Sequence, residues 1–212
     1  MMKVLVTGGS RGIGKSIVNI FEKNNFEVYA PSRDELDLSK NIKLSNTSFD
    51  IIINNAGINP IKKFDEQNYE EILKVNFLSP LEIIKQCLPN MLSKNYGRIV
   101  NIGSVWIDYS KVGRSSYSFS KSALHSLTKS LTSEYANKNI LTNTISPGFI
   151  STELTYQNNS QEELSKIINQ IPQRRLGLPE EIAKLVYHLT VENTFICGQN
   201  IVIDGGFSCT RH

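Results

Sequence analysis

The most specific chemistry in this sequence is carried by two side chains one helical turn apart. Tyr117 and Lys121 are four residues apart, so on a helix they project from one face. A phenol has a reference pKa of about 10 and is a poor base near neutral pH. An ammonium held beside it favours the phenolate and lowers that value. Neutral Tyr117 can then donate a proton to a carbonyl oxygen during reduction, and its phenolate can accept one from an alcohol during oxidation. Ser104 lies 13 residues earlier, just past an apolar run. Its hydroxyl can hold the substrate oxygen beside Tyr117 and orient it.

A second constellation suits an anion. Thr7-Gly8-Gly9-Ser10-Arg11-Gly12-Ile13-Gly14 follows an apolar run and opens a helical pattern. The spacing is not GxGxxG, but the mechanics are similar. Gly8 and Gly12 allow a tight turn and close approach of backbone to a pyrophosphate, and Gly14 lets the helix pack closely on the strand. Unpaired N–H groups at the helix start then face the anion. At the end of the next apolar run stands Ser32-Arg33-Asp34-Glu35. An acidic residue at that tip would bind a ribose 2′-hydroxyl and repel a 2′-phosphate. Ser32 occupies the expected place, and Arg33, with Arg11 in the glycine loop, suits phosphate. The pattern favours NADP(H) over NAD(H), which remains possible because Asp34 and Glu35 lie only two and three positions beyond Ser32.

The elements that must position these groups alternate along the chain. Short β-branched runs at residues 4–7, 27–30, 51–54, 98–102, 141–145 and 200–203 predict strands, several of them apolar throughout. Helical patterns cover residues 14–23, 66 to about 92, 116 to about 135, and 179–190, the last opening on Pro179-Glu180-Glu181. This predicts an α/β fold: one doubly wound parallel sheet, Rossmann-like, in a single domain over residues 1–212. Residues 155–172 break the alternation. Ser160 to Glu163 reads there as a capping box, in either a substrate lid or an ordinary surface excursion.

In order along the chain, these motifs resemble the short-chain dehydrogenase/reductase family. The glycine loop is joined by Asn54-Asn55-Ala56-Gly57, Asn76, Ser104, Tyr117-x-x-x-Lys121, Pro147-Gly148 and a terminal Asp204-Gly205-Gly206. The resemblance covers nearly the whole chain. It implies a catalytic set of Asn76, Ser104, Tyr117 and Lys121. Lys121 would also bind the nicotinamide ribose, and Asn76 would hold a water linking Lys121 to solvent. For the cofactor it implies Gly8, Ser10, Arg11, Gly12, Ile13 and Gly14 around the pyrophosphate. Ser32, Arg33, Asp37 and Leu38 would lie at the adenosine end, with Asn54, Ala56 and Gly57 under its ribose. Pro147, Gly148, Ile150 and Thr152 would meet the carboxamide. A homodimer or homotetramer, packed through the helices carrying Asn76 and Tyr117, is also implied.

The chain departs from the family between Arg33 and Ile51, where 17 residues replace a helix, a strand and another helix. A crossover needs about a dozen residues. The helix after the second strand should therefore be missing, with an extended piece at residues 36–38 standing in for the third strand. Trp106, Ile107, Tyr109, Phe149, Leu154 and Tyr156 are expected to line the substrate side.

Composition narrows the alternatives. The 212 residues carry a formal charge of +3, with no basic run, which argues against a nucleic-acid partner. Cys87, Cys197 and Cys209 form neither a disulfide framework nor a zinc pattern, and fit a reducing, cytoplasmic setting. No run reaches membrane-span length and no metal site is expected. His125, His188 and His212 lack a hydrolase triad context. The leading expectation is a reductase or dehydrogenase for a small carbonyl or alcohol substrate. An acyl-carrier ketoreductase would add a basic surface from Lys111, Arg114, Arg174 and Arg175. A nucleotide-binding regulator without turnover is the alternative from another class.

Overall fold

The computed structural model describes residues 1–109 and 111–210. Six strands form one sheet: β1 (Lys3–Val6), β2 (Glu27–Tyr29), β3 (Ile51–Asn54), β4 (Gly97–Ile102), β5 (Ile140–Pro147) and β6 (Asn200–Ile203). All pairs are parallel, in the order β2-β1-β3-β4-β5-β6. The order reverses at β1, since β2 lies on one side of it and β3 on the other. Such sheets bind ligands outside the carboxyl ends of their strands at this point.

Strand residues alternate between two packed faces. Val4, Val6, Ile51 and Ile53 meet α1 (Gly12–Lys23) and α7 (Pro179–Tyr187) through Ile17, Phe21, Ile182 and Val186. Leu5, Ile52 and Ile99 face the other way, onto α3 (Ser79–Lys94) and α4 (Ser115–Tyr135), through Ile83, Ile84, Met91 and Leu131. Burial on both faces explains why β3 opens on three consecutive isoleucines rather than alternating, and why β4 is buried along its whole length.

The helix expected to be missing after β2 is missing. The stand-in strand at residues 36–38 does not form either; the stretch is turns and loop. Its apolar side chains still do the helix's work. Leu38 and Phe49 are buried, and Leu36, Ile42 and Leu44 pack beside them on the α3 face. With no strand to pair with, the loop's backbone groups are satisfied by side chains of α3. Ser79 donates to the Leu38 carbonyl at 2.6 Å, and Gln86 accepts from Leu44 N at 2.9 Å and donates to the Ile42 carbonyl at 3.0 Å.

The single helix expected from residue 66 to about 92 is also divided. Asn68 caps α2 (Tyr69–Leu73), accepting from Glu71 N at 3.2 Å. A π turn, Lys74–Leu78, then leads into α3. Later, α5 (Glu153–Gln157) and α6 (Gln161–Gln170) fill the polar stretch after β5. The capping box at Ser160 forms: Ser160 N donates to Glu163 at 2.7 Å, and Glu163 N to the Ser160 hydroxyl at 3.3 Å. No helix among the described residues is long and apolar enough to cross a membrane.

Candidate active site

At the carboxyl edge of the sheet lies a cavity of about 650 Å³, walled by the glycine loop, the segment after β3, the ends of β4 and β5, α4 and α5. A smaller cavity of about 230 Å³ adjoins it and shares Gly8, Ser10, Ala56 and Gly57. Together they straddle the switch point.

The loop from β1 to α1 is held by a second loop. Asn55 Nδ2 donates to the carbonyls of Thr7 and Gly8 at 3.0 and 3.1 Å, and the Thr7 hydroxyl accepts from Asn55 N and Ala56 N, both at 3.1 Å. Gly8 has φ +67°, and a Cβ at Gly14 would lie 2.0 Å from the Gly8 carbonyl oxygen. Only glycine lets the first turn of α1 close on the loop in this way. Arg11 precedes α1 without a side-chain cap, and the first turn has no acidic residue. The positive end of α1 therefore opens onto a wall formed by Gly8, Ser10, Arg11, Gly12, Ile13 and Gly14. This uncapped cradle, with no acidic residue in the first turn of the helix, fits a pyrophosphate.

Asn76 sits within the π turn, fully buried. Its amide clamps the backbone of Ile58, accepting from N and donating to O at 2.9 Å each, and donates to the Ser120 hydroxyl at 3.0 Å. Gly57 lies against it: a Cβ there would stand 3.2 Å from Asn76 Oδ1 and 3.4 Å from Lys121 Nζ. A π turn is a common device at functional sites, because it re-aims one side chain without ending the helix.

Ser104 follows β4 and precedes a short 3₁₀ turn, its hydroxyl accepting from Trp106 N at 3.3 Å. Tyr117 and Lys121 project from α4 into the same cavity. Lys121 is buried, donates to the Ile102 carbonyl at 2.7 Å and lies 5.6 Å from the centre of the Tyr117 ring. Burial pushes its amine down to about 8. Burial pushes the Tyr117 phenol up, while a Ser104 hydrogen bond and the Arg114 charge pull it down. Two cations thus lie close to the phenol: Lys121 one helical turn on, and Arg114 just before α4.

The expected cofactor residues divide between the cavities. Pro147, Gly148, Ile150 and Thr152 line the larger one, and Ser32, Arg33, Asp37 and Leu38 the smaller, with Ala56 and Gly57 in both. Asn54 lines neither. It is buried beneath the strand ends and donates to Asn101 Oδ1 at 2.8 Å, because β3 continues through it and turns its side chain into the sheet. Arg33 is largely exposed and 3.8 Å from Asp37, while Glu35 turns back to accept from Ser32 N at 2.8 Å. Arg11 pairs with Glu153 at 3.2 Å across the cavity mouth. Of the expected substrate-side residues, Trp106, Phe149 and Leu154 line the cavity. Ile107, Tyr109 and Tyr156 do not. Tyr109 instead donates to the Ser208 carbonyl and Tyr156 bonds Ser151.

The basic surface sought for an acidic carrier also divides. Arg114 is buried in the cavity wall rather than displayed, and Arg175 is paired with Glu181 at 2.7 Å. Asn55 and Ser120 also belong to the site, beyond the residues expected from the sequence. Asn55 was visible next to Ala56-Gly57, but its grip on the glycine loop is a contact across 48 residues.

Comparison with known proteins agrees with this geometry. A family model described as enoyl-(acyl carrier protein) reductase matches residues 32–208. The 3-oxoacyl-[acyl-carrier-protein] reductase FabG of Buchnera aphidicola is 35% identical, with 97% of each chain covered. Acetoacetyl-CoA reductase of Cupriavidus necator is 33% identical, covering 95% of this chain and 96% of that one. A solved structure of 4-hydroxyisoleucine dehydrogenase complexed with NADH superposes with a TM-score of 0.88 at 30% identity over the full length of both chains. Sequence, sheet order and site agree: the chain belongs to the short-chain dehydrogenase/reductase family, NAD(P)-dependent oxidoreductases that act on CH–OH groups and the corresponding ketones.

Proposed function

We propose that this chain is an NADP(H)-dependent ketoreductase in which Tyr117 is the proton donor and acceptor. One observation carries the reading: Ser104, Tyr117 and Lys121, from two different elements, share a cavity with the uncapped start of α1. The residues present fit a dinucleotide. Its pyrophosphate would rest on Gly8 to Gly14, its adenosine end would lie near Ser32, Arg33, Asp37 and Leu38, and its carboxamide would lie near Pro147, Gly148, Ile150 and Thr152. When bound, the nicotinamide supplies or accepts the hydride. Ser104 holds the substrate oxygen in place, and Tyr117 gives it a proton during reduction or removes one during oxidation. Lys121 holds its charge below the phenol and reaches the nicotinamide ribose. Asn76 fixes the Ile58 backbone beside it and holds the water leading to solvent.

The 2′-phosphate preference rests on Arg33, whose ion pair with Asp37 is long and exposed. A single domain with a lid over residues 155–172 suits the cavity, since Leu154, Thr155, Asn158 and Asn159 line it. Exposed Phe119 on α4 and Leu78 before α3 suit a homodimer packed through those helices. Three free cysteines suit a cytoplasmic setting. An acyl thioester is favoured by the FabG and acetoacetyl-CoA reductase relatives.

Tyr117→Phe tests the reading. Turnover of any ketone the parent reduces should fall about 10²–10⁴-fold, the range for a positioned acid–base group, while NADPH affinity stays the same. A variant that keeps most of the parent rate removes Tyr117 from the chemistry.

A further inference from the structure

The one tryptophan of this chain stands beside the reacting groups. Trp106 lies two residues beyond Ser104, and its backbone N–H donates to the Ser104 hydroxyl at 3.3 Å. It lines the larger cavity together with Ser104, Tyr117 and Phe149. Its ring meets Phe149 edge to face, with centroids 6.0 Å apart, and Phe207 at 6.4 Å. Phe149 and Phe207 meet in the same way at 5.3 Å. Aromatic pairs favour this arrangement, so the three rings brace one another. Phe207 is itself buried, packed with Ile167 of α6, Ile171 just beyond it, and Leu176. The aromatic wall therefore has a filled core behind it and no second chamber.

The wall is held from several parts of the chain. Asp204 accepts from Gly206 N at 2.9 Å and from Ser208 N at 2.7 Å, which fixes the turn that carries Phe207. A Cβ at Gly148 would stand 2.6 Å from Asp204 Cβ, so that turn sits directly against the residue before Phe149. Tyr109 donates to the Ser208 carbonyl and ties the segment after Trp106 to the same turn. A close-packed wall of this kind admits extra methylenes only at the cost of strain. The cavity lining also includes the polar residues Thr155, Asn158 and Asn159. A ligand with one apolar end and one polar arm matches such a site. We infer that Trp106 sets the chain length of the substrate, a 3-oxoacyl thioester with a short alkyl end. The alkyl group stops against the Trp106 and Phe149 rings, the 3-oxo group lies between Ser104 and Tyr117, and the thioester arm extends along Asn158 and Asn159. A medium-length chain would have to displace braced rings. This rests on the ketoreductase reading and narrows its substrate.

Two measurements test the inference, both with N-acetylcysteamine thioesters of 3-oxobutyrate and 3-oxooctanoate. The first needs no variant. The chain is loaded with NADP⁺, which cannot reduce a ketone, and Trp106 emission is followed as each thioester is added. With one tryptophan in the chain, the signal reports this ring alone. The 3-oxobutyryl thioester should change the emission saturably, and the 3-oxooctanoyl thioester should bind about tenfold or more weakly. In the second, kcat/KM with NADPH is compared for the two thioesters. The parent should prefer the shorter by about 100-fold or more. Trp106→Ala and Trp106→Leu should each raise the ratio of longer to shorter about 10- to 100-fold, with circular dichroism confirming that they fold. Equal affinities in the first measurement, or a ratio that both folded variants leave unchanged, overturns the inference. Failure of the ketoreductase reading looks different: the shorter thioester changes Trp106 emission and the longer does not, yet neither is reduced.

Discussion

Replacing Lys121 with methionine should leave the cofactor-free protein no less stable near neutral pH while stopping turnover. The amine is 2% exposed and donates to the Ile102 carbonyl at 2.7 Å. Burial pushes its pKa from the ordinary 10.5 down to about 8. The difference between 10.5 and about 8 corresponds to about 3 kcal/mol of stability forgone at pH 7, where the folded chain must carry the charge in a buried position. Methionine removes that cost and keeps most of the volume. It also leaves the Ile102 carbonyl without its charged donor, a loss of about 1–3 kcal/mol. The net change at pH 7 is then between about zero and +2 kcal/mol in favour of the variant. The pH dependence is the sharper test. Below about pH 8 both folded and unfolded amines are protonated and the full cost is present. From about 8 to 10.5 the unfolded chain holds a proton that the folded chain has lost, so the parent's stability rises with pH. The variant lacks this rise. Parent stability minus variant stability should climb by about 2 kcal/mol between pH 7 and pH 9.5. Urea unfolding followed by circular dichroism at the two pH values measures it. A difference that stays flat with pH would show that the folded site does not depress the amine's pKa.

At the other end of the site, Arg33→Asp should weaken NADPH by about tenfold or more, the worth of a charge-assisted contact, and NADH far less. Fluorescence titration with both cofactors checks it, and equal losses would remove the phosphate role. Gly14→Ala places a Cβ 2.0 Å from the Gly8 carbonyl oxygen and 2.6 Å from Asn55 Nδ2. Backbone cannot step aside cheaply, so the variant should lose about 1–3 kcal/mol or more together with nucleotide affinity. A thermal midpoint and a Kd equal to the parent's would mean that the loop is looser than its contacts imply.

Much of this protein was legible along the chain because its signals are local. Strand and helix periods are set by which side chains face a core. The sheet therefore followed from β-branched runs such as 51–54 and 98–102, within a residue or two of their ends. The spacing of Tyr117 and Lys121 and the glycines at 8, 12 and 14 describe one helix face and one turn, which neighbours in sequence are enough to specify. The missing helix after β2 was a matter of counting residues. What took the place of that helix could not be counted. Leu38 and Phe49 are buried where α3 offers Ser79, Gln86 and Asn90 to the loop's backbone across 41 to 44 residues.

The sequence alone determined the kind of chemistry: a phenol, an amine and a hydroxyl beside an anion-binding turn on a parallel sheet. Only the tertiary structure decided the environment of each group. It took Asn54 out of the cavity and placed Asn76 in a π turn. It turned Arg114 from a surface charge into a buried one with no ion pair among the described residues. Burial and pairing are sums over residues far apart in the chain, and they set whether a charge is solvated, neutralised or left without a partner.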